Sequence, residues 1–264
     1  MPESEIPAAT PVPSATILIV RDAANGMEVF MVKRHHQVDY VAGALVFPGG
    51  KVAESDYDPG LAAFMCGGED WDRPRRALAA AAIREAFEEA GILFAREADT
   101  REFISSERLD ALDHYRQRLE KNEIGLIDML RAEKLVIACD ALAHFAHWIT
   151  PTLNPKRFDT HFFLASVPEG HAGRHGGRES VDSIWITPED AVADSTKWTV
   201  VFPTKLNLLK LAKSRTVADA IAAARAKPPV TVEPLIEQRA DGQYLCIRND
   251  AGYDVTSMLH RAAP

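Results

Sequence analysis

Nowhere in the 264 residues is there an unbroken apolar run of the roughly 20 residues that a membrane-spanning helix needs. Cysteine is scarce as well. Cys66, Cys139 and Cys246 are odd in number and far apart, which suits neither a disulfide framework nor a zinc site and points to reduced thiols in a cytosol. An excess of positive charge is also missing. The formal net charge of −8 lacks the electrostatic footprint of a general nucleic-acid binder. A phosphate-bearing ligand would have to be met by local cations or metal rather than by a positive surface field. Residues 1–13 are acidic and proline-rich, without the basic start and apolar stretch of a signal peptide, and read as a flexible tail. These absences lead to the expectation of a cytoplasmic protein with neither nucleic-acid nor membrane partners.

What is present is ordinary globular material: 47% hydrophobic and 26% charged residues, enough for a sizeable core. Strand-like runs at 15–20 and 27–32 flank the turn-prone segment 22–26, and Leu45-Val46-Phe47 stops at Pro48-Gly49-Gly50. Residues 57–72 read as loop with a short helix. An alanine-rich helix is expected from Pro74 to Ala90, with Ile83 and Phe87 on its buried stripe and Gly91 as its C-terminal cap. A strand at 92–94 and helices at 105–122, 125–132 and 138–147 follow. Then come strands at 158–167 and 180–186, a helix after Thr187-Pro188, and helices near 205–213 and 217–226. The stretch 230–256 alternates around Asp241-Gly242 and Asp250-Ala251-Gly252, as a small β extension would. No internal repeat is visible. The division expected is a tail (1–13), one α/β domain (14–226, with an insertion at about 57–75 and a helical segment at about 103–147) and a C-terminal extension (227–264).

The chemistry gathers at the end of the alanine-rich helix. At 100° per residue, Glu88 falls about 60° to one side of Glu85 and Glu89 about 40° to the other. Like charges so spaced cost an isolated helix about 0.2–0.5 kcal/mol per pair. They also stand at the negative end of the helix dipole, where an anion loses about 0.3–1 kcal/mol. Something cationic should offset this. Oxygen ligands on one face suit Mg²⁺ or Mn²⁺, although Glu-x-x-Glu-Glu alone reads first as a solvated acidic face, such runs being common.

Context sharpens the choice. Gly50-x5-Asp56 followed by Arg84-Glu85-Ala86-Phe87-Glu88-Glu89-Ala90-Gly91-Ile92 resembles the signature of the Nudix hydrolases, G-x5-E-x7-R-E-U-x-E-E-x-G-U with U a bulky apolar residue. Asp56 replaces the first glutamate and Ala86 a larger apolar residue. Residues 57–83, 27 in all, stand where the pattern has seven, so about 20 are inserted. Together with Trp148-Ile149-Thr150-Pro151, the segment 157–163 and Val201-Phe202-Pro203-Thr204, this is similar to the branch containing the animal peroxisomal coenzyme A diphosphatase and its bacterial relatives. A coenzyme-A-linked pattern upstream is met at 30–34 and at Gly43-x3-Phe47-Pro48-Gly49-Gly50. His35 and Asp39 depart from it.

The resemblance implies a Nudix α/β/α sandwich with a mixed central sheet, helical insertions and the small C-terminal β extension. It implies Glu85, Glu88 and Glu89 as ligands of Mg²⁺ or Mn²⁺, with Arg84, Glu85, Glu89 and Glu179 as the catalytic set. Arg84 would pair with an acidic group, for which Asp56 is the candidate. The base would be Glu89 or Glu179, the latter reading equally as an exposed strand-edge residue. Arg34, Gly49, Gly50 and Arg157 are expected at the substrate, with Lys156 a further cation; each of these cations alone also reads as a surface residue. His144 and His147, three apart on an expected helix beside Phe145 and Trp148, read as packing residues, and Trp185 and Trp198 as core or rim. The implied reaction is hydrolysis of a diphosphate in a nucleoside diphosphate linked to another moiety, with coenzyme A or acyl-coenzyme A leading and ADP-ribose, NADH or a dinucleotide as alternatives. A non-catalytic nucleotide-binding regulator and a purely structural domain are the readings of other classes. The partners expected are a small nucleotide-type substrate and a second copy of the chain in a homodimer.

Overall fold

The computed structural model describes residues 9–34, 43–68, 70–152, 154–175 and 180–259, with backbone alone at 34, 180 and 181. Along the chain, β1 (Val12–Ala23) and β2 (Gly26–Arg34) form a hairpin, followed by β3 (Leu45–Val46) and β4 (Gly49–Lys51). Two 3-10 turns (Glu54–Tyr57 and Pro59–Phe64) and β5 (Met65–Cys66) lead into helix α1 (Arg73–Ala90). Then come β6 (Ala95–Glu97), α2 (Ser106–Leu112), α3 (Arg116–Glu120), α4 (Leu126–Glu133), β7 (Leu135–Ala138), β8 (Ala143–Ile149), β9 (Phe158–Ser166) and β10 (Ser180–Ile186). The chain closes with α5 (Pro188–Ala193), α6 (Phe202–Leu211), α7 (Val217–Ala226), β11 (Thr231–Val232), β12 (Leu235–Arg239), β13 (Gly242–Cys246) and β14 (Ser257–Leu259).

The central sheet runs β10-β2-β1-β9-β8-β11, with β3 beside β2 and β4 beside β1. It is mixed, because β1–β9 and β8–β11 are parallel and the other pairs antiparallel. Alternation along β1 divides the core. Ala15, Ile17 and Ile19 join the cluster containing α1 and residues of α2–α4; Leu18 and Val20 join the one containing α5–α7. The result is the α/β/α sandwich. Small sheets β5-β7-β6 and β12-β13-β14 flank it. No helix of the described residues is long and apolar enough to cross a membrane.

Helix α1 begins where Asp72 accepts the Arg75 amide at 2.9 Å and ends at Gly91, whose φ of 61° is left-handed. Ala79 to Ala82 are all fully buried, so small side chains let a helix enclosed on every side approach the sheet. The Gly91 cap also corrects an expectation: Ile92 turns back to donate to the Ala86 carbonyl (3.2 Å), so residues 92–94 are buried but strand pairing starts at Ala95.

Two further corrections concern periodicity and boundaries. Residues 138–147 form the end of β7, a 3-10 turn and most of β8 rather than a helix. A bulge between His144 and Ala146 places Phe145 and Ala146 consecutively in one apolar cluster. That extra residue turns a period of two into an apparent period of three. Residues 12 and 13, expected in the tail, belong to β1, where Val12 pairs with Phe158. The C-terminal extension is knitted in. β11 adds to β8, and buried Tyr253 receives the Trp148 indole N–H (2.9 Å) and donates to Asn207 Oδ1 (2.7 Å).

Candidate active site

The box assembles where α1 meets β4. Gly49 and Gly50 pair with Thr16 and Ala15 across β1. A Cβ on Gly49 would stand 2.6 Å from the Ala15 carbonyl oxygen, and one on Gly50 would collide with the Glu85 carboxylate. Glycine is therefore required twice: by the strand beneath and by the helix above. The Gly49 amide donates to Glu89 Oε2 at 3.0 Å, fixing that carboxylate over the turn.

Arg84 is the hub. Its Nε and Nη2 fork grips Asp56 (3.1 and 3.0 Å), Nη2 also donates to the Lys51 carbonyl (2.9 Å), and Nη1 reaches Glu85 (2.8 Å) and Glu88 (3.2 Å). Asp56 is 1% exposed and also accepts the Ala53 amide (2.8 Å). Arg84 and Asp56 thus lock the loop against the helix despite the residues inserted between them. Burial works against the arginine's charge, but Glu85, Asp56 and Glu88 more than offset it and raise its pKa. A second cation, Arg116 of α3, donates to the Glu88 carbonyl (3.0 Å) at the negative end of the helix.

Asp56, Glu85 and Glu88 are three carboxylates on the one Arg84 guanidinium, with Glu89 beside them at the same helix end. Burial, reinforced by the Glu85 charge and opposed by Arg84, pushes Glu88 up to about 8. Carboxylate oxygens gathered on one helix face fit a hard divalent cation, and Glu85, Glu88 and Glu89 are the residues that could hold one.

The cluster lines a cleft of about 1580 Å³. Thr16, Lys51, Thr160, Thr199 and Asn154 supply polar lining, while Trp148, Phe162, Trp198 and Phe202 form an apolar wall. Ile236, Leu245 and Met258 of the C-terminal sheet extend that wall. Lys51 and these C-terminal residues escaped sequence reasoning. The C-terminal strands were legible by alternation and the strand of Lys51 was not expected; in both, the face presented to the cleft depends on docking.

The other expected site residues are scattered. Arg157 is a correction: its guanidinium is spent on the Thr150 carbonyl (2.9 Å), the Ala9 carbonyl (2.9 Å) and Glu233 (2.7 Å), and it does not line the cleft. It braces the β8–β9 connection instead. Lys156 is exposed next to it, also off the cleft. Arg34 ends β2, with its side chain outside the described residues, as are Glu179, His35 and Asp39 entirely. Trp198 is at the cleft, whereas Trp185 packs edge-on against Phe30 with ring centroids 5.2 Å apart.

Comparison with known proteins agrees with this architecture. The family described as the NUDT19 Nudix domain matches residues 73–207, about half of the chain and including Arg84 to Ile92. The acyl-coenzyme A diphosphatase NUDT19 of Xenopus laevis is 24% identical over 206 residues, covering 63% of this chain and 54% of that protein. Putative nudix hydrolase 7 of Caenorhabditis elegans is 27% identical over 171 residues, covering 63% and 49%. The chain thus spans about half the length of the curated relatives it matches. A Nudix hydrolase structure from Alicyclobacillus acidocaldarius superposes with a TM-score of 0.70 at 28% identity, over 81% of this chain and 96% of that one. The chain belongs to the NUDT19 Nudix domain family.

Proposed function

We propose that this protein is a divalent-metal-dependent diphosphatase that hydrolyses a nucleoside diphosphate linked to another moiety, with coenzyme A or an acyl-coenzyme A as the leading substrate. The observation that carries the reading is the grouping of Glu85, Glu88 and Glu89, organised by Arg84 and the Gly49 amide, in the lining of a large, partly apolar cleft. Glu85, Glu88 and Glu89 would hold Mg²⁺ or Mn²⁺. Bound there, the cation supplies Lewis acidity to a phosphoryl oxygen and lowers the pKa of an attacking water. Arg84 positions Glu85 and Glu88. Glu89, oriented by the Gly49 amide, or Glu179 takes the proton from water. Lys51 is placed to meet a phosphate, and the wall of Trp148, Phe162 and Trp198 suits a pantetheine or acyl chain.

The test is a panel of coenzyme A, acyl-coenzyme A, ADP-ribose, NADH and dinucleotides with Mg²⁺ or Mn²⁺, with products identified. Turnover of the coenzyme A compounds that Glu88→Gln and Glu89→Gln reduce at least about 100-fold is expected, comparable to losing one group that stabilises a transition state. No turnover on any member, or turnover indifferent to both substitutions, sinks the reading; preference for ADP-ribose or NADH moves it to that substrate class. The cytoplasmic setting and the homodimer belong to the same reading, and cell fractionation and light scattering check them.

A further inference from the structure

A second polar cluster lies away from the cleft, on strands β8 and β9. Alternation along β9 turns Thr160 and Phe162 into the cleft and Asp159 and His161 away from it. The β8 bulge brings His144 and His147 to the same side as those two. His161 stacks on His147 (centroids 4.0 Å) and on His144 (5.0 Å). His147 Nε2 is 2.5 Å and His161 Nε2 3.7 Å from Asp159 Oδ1. The side chains of His147, Asp159 and His161 are 16%, 35% and 20% exposed, so the group is open to solvent on one side.

Each imidazole is also held from behind. His147 Nδ1 stands 2.8 Å from Thr231 Oγ1, and His161 Nδ1 3.1 Å from His144 Nε2. Metal-ligating histidines are oriented in this way, one nitrogen toward the ion and the other hydrogen-bonded to a supporting group. We infer that His147, Asp159 and His161 form a transition-metal site, separate from the carboxylate cluster, that takes Zn²⁺ through the two Nε2 atoms and one carboxylate oxygen. One ligand atom from each residue already lies within 4.8 Å of the others. Donors about a tetrahedral zinc stand roughly 3.3 Å apart, given zinc–nitrogen bonds of about 2.0–2.1 Å, so closing the site takes side-chain rotations that unstack the two rings and part His147 from Asp159. Two imidazoles and a carboxylate suit zinc, and solvent supplies the fourth position; imidazole is a poor donor for Mg²⁺. His144 and Thr231 are positioning residues. Through Thr231 the ion would pin β11, the strand that immediately precedes the C-terminal wall of the cleft.

The test is a titration of the metal-stripped full chain with Zn²⁺ in excess Mg²⁺, read by calorimetry, and with Co²⁺, read by visible absorption. One zinc per chain and a cobalt spectrum of nitrogen and oxygen ligation are expected. Binding should be lost in His161→Ala and Asp159→Asn, weakened about 10- to 100-fold in His144→Gln, and unchanged in Glu88→Gln. Asp159→Asn keeps the side-chain shape and carries the test if His161→Ala does not fold. Absence of uptake by the wild type, uptake equal in both variants, thiolate bands in the cobalt spectrum, or loss in Glu88→Gln would each overturn the assignment.

Discussion

Two polar clusters share one sandwich, and they handle burial in opposite ways. Around Arg84, three carboxylates share one guanidinium, and burial with the Glu85 charge raises Glu88 to about 8. On β8 and β9, burial holds His144 at about 4, helped by His161, His147, Arg75 and Lys210. Burial and His147 hold His161 at about 4 against the pull of Asp159. The first cluster keeps Glu88 protonated near neutral pH because burial and the Glu85 charge disfavour its ionised form. The second avoids charge by keeping His144 and His161 neutral. A hard dication relieves the first, whereas the second offers lone pairs without needing relief.

The arginines expose the difference most sharply. Arg84→Met leaves three buried carboxylates without their shared partner and should cost about 3–5 kcal/mol in denaturant unfolding. Arg157→Ala, beside the histidine cluster, removes bonds to two carbonyls and to a Glu233 side chain that is 37% exposed. Its expected cost is about 1–3 kcal/mol with KM unchanged. A large rise in KM would return Arg157 to the substrate.

Acidity should separate the clusters next. Between pH 4.5 and about 8 folded Glu88 keeps a proton that the unfolded chain releases, so rising pH destabilises the metal-free protein through this group. Its thermal midpoint should fall across that window relative to Glu88→Gln, and Mg²⁺ at pH 8 should restore it. A parallel pH dependence of the two proteins would contradict the account. The histidines act in the reverse direction. Their folded pKa values lie below the unfolded 6.5, so stability is lost as pH falls from 6.5 toward 4. The double variant His144→Gln, His161→Gln should lose less over that range, measured as the difference in melting temperature. Gly50→Ala acts back at the first cluster, where its Cβ would collide with the Glu85 carboxylate. Displacing the Glu85 carboxylate should cost about 1–3 kcal/mol and a larger share of turnover, with β-sheet circular dichroism unchanged.

How the two regions read in sequence follows from their geometry. Glu85, Glu88 and Glu89 share a helical arc fixed by 100° per residue, and Gly91 announces where that helix stops, so the carboxylate face was legible from spacing alone. Residues 57–83 hid the approach of Asp56 to Arg84 only in number, because a loop changes length cheaply when its ends are fixed. His144 and His147 misled, since a bulged strand mimics the helical interval.

The sequence by itself determined the mixed α/β architecture, the α1 carboxylate face and the glycines that let β4 lie beneath it. These rest on local periodicity and on backbone sterics, which act within a few residues. Tertiary structure alone decided that Arg157 is a brace and that the C-terminal strands wall the cleft. It also decided that Asp159 and His161 meet two histidines across a strand pair. Each of those outcomes depends on strand register and docking between segments far apart in the chain, and no local spacing encodes them.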